Sequence, residues 1–206
     1  MQRGKYIVIE GGEGCGKTTQ AELLYNWLKK LKVLCYFGRE PGGVAPAEEM
    51  RKILLNSSYQ IDPISELFGF AFARSIFFEK IVIPKMEKGI HFISDRSGFS
   101  TKAHQGYAGG VSFRIIDFVN QVAMRNIRPD LGIIIDIDPS IGLKKEIEKN
   151  RFGEKGLEYH QKVRRGFLEI AKSNPNCRLI NYRKGGIEEM QEGMRCYVAE
   201  LLNINL

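Results

Sequence analysis

A chain of 206 residues that is 43% hydrophobic can bury one full core, and a single domain spanning 1–206 is expected in place of two independent ones. Its formal net charge of +7 implies a phosphate-bearing partner, but without a basic tail or an aromatic-interleaved basic stripe no nucleic acid is indicated. No apolar run approaches the ~18 residues of a membrane span, the apolar run after Arg3 and Lys5 is too short for a signal segment, and the four cysteines lack C-x-x-C spacing, which excludes a membrane or secreted disulfide protein and predicts free thiols in the cytoplasm.

In chain order, apolar β-rich runs are predicted as strands over 5–11, 33–37, 90–95, 132–138 and 177–182. They show little polar alternation, as expected of strands covered on both faces. Helical patterns lie between them. Residues 18–31 place Leu24, Trp27, Leu28 and Leu31 on one face. Further helices are predicted over 46–55, 62–87, 111–126, 140–149, 155–172 and 187–202; that over 62–87 opens with Asp62 as N-cap and Pro63 at the first helical position, and runs to Pro84. Strand and helix alternating throughout predicts an α/β fold with a five-stranded parallel sheet flanked by helices, in which ligands bind at the carboxyl ends of the strands.

The first strand leads into Gly11-Gly12-Glu13-Gly14-Cys15-Gly16-Lys17-Thr18-Thr19. Gly-x4-Gly-Lys-Thr between a strand and a helix is the phosphate-loop pattern, and here the motif and its context agree. Loop N–H groups and the helix N-terminus hold a nucleotide's phosphates, Lys17 reaches the β- and γ-phosphates, and the Thr18 hydroxyl ligates Mg²⁺. A merely tight turn would need neither lysine nor threonine there. Cys15 lines the loop passively. The loop alone separates neither kinase, switch nor motor ATPase, although the Asn-Lys-x-Asp of guanine-reading switches is missing from the sequence.

A second polar constellation follows the next strands: Arg39 after the second, Arg51 a dozen residues on, Arg74 in an apolar helix, and Asp95-Arg96 ending the third. A buried guanidinium needs a carboxylate or phosphate partner. Phe70, four residues before Arg74, shares its face, so the pair fits either a ring stacked on a base with the fork at its edge or a core Phe beside a structural ion pair.

"VIEGGEGCGKTTQ", "REPGG", "FAFAR", "SDR" followed by "HQGYAGG", and "RPDLGIIIDIDPSIGL" together resemble the thymidylate kinase family, in order and over nearly the whole chain. The resemblance implies a P-loop nucleoside monophosphate kinase fold with a small lid, transfer of the ATP γ-phosphoryl group to dTMP giving dTDP for dTTP synthesis, and a homodimer. It further implies that Glu13 meets the sugar 3′-hydroxyl or the metal's water shell, and that Arg39, Arg51, Arg74 and Arg96 contact the acceptor. On the same ground Phe70 stacks on thymine, Ser100, Thr101 and Gln105 face base edge and sugar, and Asp95 stands with Thr18 near Mg²⁺.

Some family members carry an arginine inside the phosphate loop; the position here is Gly14, as in bacterial forms whose lid supplies the cation. The lid corresponds to 144–156, with Lys149 and Arg151 as candidate cations and Arg151 favoured, because its fork can reach two phosphate oxygens. On this reading Arg151→Ala lowers kcat about a hundredfold or more, as losses of an arginine finger do. Two residues depart from the family pattern: Ser97 replaces an aromatic after the Asp-Arg pair, and His104 replaces the Tyr or Phe that helps refuse a 2′-hydroxyl. The rival readings are a broader deoxynucleoside monophosphate kinase and a P-loop nucleic-acid-dependent ATPase.

Overall fold

The computed structural model of the chain describes residues 3–145 and 150–205. Five parallel strands, β1 (Tyr6–Gly11), β2 (Cys35–Arg39), β3 (His91–Asp95), β4 (Leu131–Asp136) and β5 (Cys177–Asn181), form one sheet in the order β2-β3-β1-β4-β5. The expected five-stranded parallel sheet is present. Each crossover needs a helix on one face or the other, which explains why β1, at the centre, is buried throughout.

The alternation of side chains along β1 feeds two cores. Ile7 and Ile9 point to a layer containing Leu24 and Leu28 of α1 (Lys17–Lys30) and Met190, Met194 and Val198 of α9 (Ile187–Leu202). Tyr6 and Val8 point the other way, to Phe77, Phe78, Val82 and Met86. Beside that second layer, Ile134 of β4 meets Ala103 and the Val163, Phe167 and Ile170 face of α8 (Leu157–Ser173). Each Val, Leu, Ile, Phe or Met side chain fully buried in these layers contributes about 1.5–3 kcal/mol of hydrophobic stabilisation.

Between β2 and β3 lie α2 (Ala45–Leu55), α3 (Pro63–Phe77) and α4 (Ile83–Glu87). The Asp62 N-cap accepts from the backbone N–H groups of Ile64 and Ser65 at 2.9 and 3.1 Å, as the sequence predicts. The single helix expected over 62–87 is interrupted: residues Phe78–Val82 form a π-helical turn, and α4 then carries the chain through Pro84 to Glu87. Proline sits in the first turn of α4, where a missing N–H costs little.

After β3 the chain forms α5 (Gly98–Thr101), a second π-helical segment (Lys102–Ala108), and α6 (Phe113–Ala123). No helix was predicted over 98–108, and α6 is shorter than the 111–126 expected. The helix predicted over 140–149 appears as α7 (Pro139–Lys145), its remainder lying outside the described residues, as does Lys149. β2 reaches two residues beyond the predicted 33–37, so Arg39 ends the strand instead of following it. No helix of the described residues is long and apolar enough to cross a membrane, and Cys15, Cys35, Cys177 and Cys196 are free thiols.

Candidate active site

Parallel register brings the odd residues together. Asp95 pairs with Ile9 on one side and with Arg39 on the other, so the ends of β1, β2 and β3 deliver the phosphate loop, Arg39 and the Asp95-Arg96 pair to one edge of the sheet. The loop turns through Gly14 at φ +67°, and a Cβ there would lie 2.1 Å from the Gly142 carbonyl oxygen. No side chain fits at that position, so the loop itself cannot present a cation from residue 14. Gly16, at φ +87°, caps α1 in the left-handed conformation, and the free N–H groups of the first turn of α1 stand behind the loop.

Lys17 donates to the Gly12 carbonyl oxygen at 3.2 Å and lies 3.7 Å from Glu13, folded over the loop. Arg96 donates to Glu13 at 2.7 Å and to Ser100 Oγ at 3.1 Å. Its φ of +74° is a strained conformation for a side-chain-bearing residue, held by surrounding contacts. Burial pushes the Glu13 carboxyl up, but Arg96 and Lys17 outweigh it and hold the group far below the ordinary glutamate range. Burial pushes the Cys15 thiol up despite Lys17, in keeping with a packing role.

The Thr18 hydroxyl donates to Asp95 Oδ2 at 2.5 Å, while Asp95 Oδ1 is buried with no hydrogen-bond partner among the described residues. A hydroxyl oxygen beside a carboxylate with an uncommitted oxygen suits Mg²⁺, which keeps several waters and binds through one or two protein oxygens plus phosphates. Among the described residues no group of three or more His, Cys, Asp or Glu is set to enclose a metal.

A cavity of about 220 Å³ opens from the loop. Glu13, Lys17, Thr18, Asp95 and Arg96 line its loop end; Arg39, Arg51, Phe70 and Arg74 line the far side, with Ser100, Thr101 and Gln105 between. The cavity wall carries five cationic side chains against three anionic ones, the third anion being Glu40, a surplus that favours a phosphate-bearing guest. Arg39 is largely exposed and pairs with Glu48 at 3.3 Å. Arg51 donates to the Pro41 carbonyl oxygen at 3.0 Å.

Of the two alternatives left open by its sequence context, Arg74 forms the structural ion pair. It is 2% exposed and ion-paired with Glu40 at 2.6 Å, while Nη1 donates to Thr101 Oγ1 and Asn120 Oδ1 at 3.1 and 2.8 Å. Nη2 makes no hydrogen bond among the described residues, and the guanidinium lines the cavity beside Phe70. Ser100 and Thr101 are thus engaged in aiming arginines: the Ser100 hydroxyl donates to Glu10 at 2.6 Å while accepting from Arg96.

The two departures from the family pattern have separate explanations. Ser97 is fully buried; its hydroxyl donates to Glu10 at 2.8 Å and accepts from the Phe99 N–H at 3.2 Å. His104 lines the cavity, its Nδ1 3.1 Å from the Tyr159 hydroxyl. Burial, followed by Arg96, pushes its pKa well down, so the ring is neutral near pH 7.

Arg151 is placed differently from expectation. It is 8% exposed, not part of the cavity lining, and pinned away from the loop: Nη1 lies 2.6 Å from Glu66 and Nε donates to the Leu54 carbonyl oxygen at 2.9 Å. A guanidinium this deep takes the nearest carboxylate, and Glu66 of α3 provides it. The neighbouring Phe152 does enter the cavity lining, facing Phe70 with ring centroids 5.8 Å apart.

Sequence reasoning did not single out Glu40, Glu66 or Phe152. Glu40 lay within a quoted motif, and the buried Arg74 required a carboxylate, so it was within reach. Glu66 and Phe152 come together only through tertiary contact.

The thymidylate kinase family profile matches residues 9–194. A thymidylate kinase of Pelobacter propionicus is 37% identical over 213 residues, covering 98% of this chain and 96% of its own length. One from Carboxydothermus hydrogenoformans is 38% identical over 185 residues, covering 88% and 91%. The crystal structure of thymidylate kinase from Ehrlichia chaffeensis superposes with a TM-score of 0.80 at 31% identity, covering 95% of this chain and 98% of that one.

Proposed function

The chain belongs to the thymidylate kinase family, a family of dTMP phosphotransferases, and from that premise we propose that the cavity is its acceptor site and the phosphate loop its ATP site. One observation carries the reading: the arginine-lined recess holding Phe70 and Arg74 opens directly onto Lys17, Thr18 and Asp95. A thymine ring lies against Phe70, the free edge of the Arg74 fork meets its rim, and the monophosphate extends toward Arg39, Arg51 and Arg96.

Two like charges ~4 Å apart at an effective dielectric of ~20 repel by roughly 4 kcal/mol, and donor and acceptor each carry several. Lys17, the loop N–H groups and the arginines offset that repulsion, and bidentate clamping keeps the reacting oxygens in line. Thr18 and Asp95 would hold Mg²⁺, which would supply charge neutralisation at the transferring phosphoryl group. The acceptor phosphate already presents a charged oxygen, so Asp95 serves metal and positioning and no essential proton abstraction is required. Glu13 holds Lys17 and Arg96 ready at the junction and gives them up to the phosphates or the sugar.

Arg151 can act as a lid cation only by leaving Glu66. Arg151→Ala separates two roles: a fall in kcat of about a hundredfold marks a group at the transferring phosphoryl, whereas an effect confined to stability and to the KM for dTMP marks a strut.

The overall test is ADP release and dTDP formation with dTMP, dUMP, dCMP and UMP as acceptors. The expected result is turnover that requires an acceptor and is fastest with dTMP. ATP consumption equally fast with and without dTMP, or a rate raised by nucleic acid instead, would overturn the proposal.

A further inference from the structure

Glu66, on α3, is 1% exposed and joins three segments. Its Oε1 accepts from Arg151 at 2.6 Å and from Lys155 at 3.1 Å; its Oε2 accepts from Gln105 Nε2 at 2.7 Å. A carboxylate between two cations can only accept, so the end of the Gln105 amide turned toward it must be the NH₂. The carbonyl oxygen is then the end of the amide turned away from Glu66, and Gln105 lines the cavity beside Phe70.

We propose that Glu66 is a specificity-determining positioning residue: by fixing the Gln105 amide it presents a hydrogen-bond acceptor to the edge of the bound base, and so selects pyrimidines that carry a ring N–H. The inference rests on the reading of this cavity as the acceptor site. Thymine and uracil offer that N–H, whereas cytosine has an unprotonated ring nitrogen at the same position and leaves two acceptors facing each other. An unmatched buried polar pair is costly, and Glu66 acts at one remove, with no contact to the base required.

Glu66→Gln inverts the arrangement. Arg151 and Lys155 keep the carbonyl oxygen of the new amide, which places its NH₂ where Oε2 was. Gln105 must then turn its own carbonyl oxygen to that donor and its NH₂ to the cavity.

The test compares kcat/KM for dTMP, dUMP and dCMP in the wild type, Glu66→Gln, Gln105→Leu and the double variant. In E66Q the dTMP-to-dCMP ratio is expected to fall by about tenfold or more, the scale of one mispaired buried hydrogen bond, while the dTMP-to-dUMP ratio and the KM for ATP stay put. General damage to the fold would lower all three acceptors together. In the Q105L background E66Q is expected to leave the dTMP-to-dCMP ratio where Q105L alone put it.

An unchanged dTMP-to-dCMP ratio in folded E66Q overturns the inference; should E66Q prove unfolded by circular dichroism, a wild-type ratio in Q105L overturns it equally. If the wild type fails to phosphorylate dTMP, the acceptor-site reading fails first. A wild type active on dTMP with unaltered selectivity in the variants defeats only the role of Glu66.

Discussion

Glu13 is wedged between Lys17 and Arg96 at 3.7 and 2.7 Å, and its depressed pKa has a consequence for stability. In the unfolded chain a glutamate takes up a proton near pH ~4.3, whereas folded Glu13 stays ionised far below that. Across that interval the unfolded state binds more protons, so stability rises with pH there and falls on acidification. The stability difference between the wild type and Glu13→Gln, from urea denaturation, should therefore be constant above pH ~6 and shrink as the pH drops through about 5 to 3; a difference independent of pH would refute the coupling. Glu40 gives a second prediction. It is buried against Arg74 and also accepts from the Tyr6 hydroxyl at 3.2 Å. Glu40→Ala leaves a guanidinium without its counter-ion in the core, which costs about 3–5 kcal/mol. The same loss frees the fork that we assign to the base, so the KM for dTMP should rise along with the fall in unfolding free energy.

At the scale of elements, α8 and α9 each carry a glycine in mid-helix, and the two differ in what surrounds them. A Cβ on Gly166 of α8 would lie 2.8 Å from Cδ2 of Tyr107, in the π-helical segment that also bears Gln105; a Cβ on Gly193 of α9 would find its nearest neighbour, Ile180, at 3.6 Å. The same substitution should therefore have opposite signs. Gly193→Ala stabilises by about 0.5–1 kcal/mol, through helix propensity and a less mobile unfolded chain. Gly166→Ala forces α8 and the π-helical segment apart, costs about 1–3 kcal/mol as overpacking does, and raises the KM for dTMP. Thermal unfolding of the two variants checks the pair, and equal shifts would show that the close approach at Tyr107 does not constrain the site. The π-helical segment also marks where sequence reading stopped. Strands such as β1 and β4 and the glycine-rich turn announce themselves through residue type and short-range spacing, as do Lys17, Thr18 and the Asp95-Arg96 pair, whereas Ser100, Thr101 and Gln105 are reached only through the family resemblance. A π-helix has no apolar period of its own, and Gly106, Gly109 and Gly110 within or after 102–108 read as a loop. Likewise the partner of Arg151 was hidden, because Glu66 lies 85 residues away in sequence and only the packing of α3 against the 150–156 stretch joins them.

For the whole molecule, α3 is apolar in sequence yet is not buried on every side. Ile64, Phe68 and Phe72 recur every fourth residue and are 40%, 57% and 46% exposed; on α6, which packs beside α3, Ile115, Phe118 and Val122 are 45%, 66% and 53% exposed. Leu67, Ala73 and Arg74 of the same helix are buried, so α3 has an inner face turned to the cavity and an outer face with no cover in one chain. A two-helix apolar surface is what self-association buries, and the homodimer that the family resemblance implies would place a second copy of this chain over it. A second copy seated on that face would also back the helix whose inner face carries Phe70 and Arg74. Phe118→Asp places a charge at the most exposed of these positions, outside the cavity lining. Analytical ultracentrifugation should give a dimer for the wild type and a monomer for F118D at matched concentration, with the KM for dTMP raised more than the KM for ATP, because α3 loses its support while the phosphate loop on β1 and α1 keeps its own. A wild-type chain that sediments as a monomer throughout the micromolar range would show that this face has another occupant.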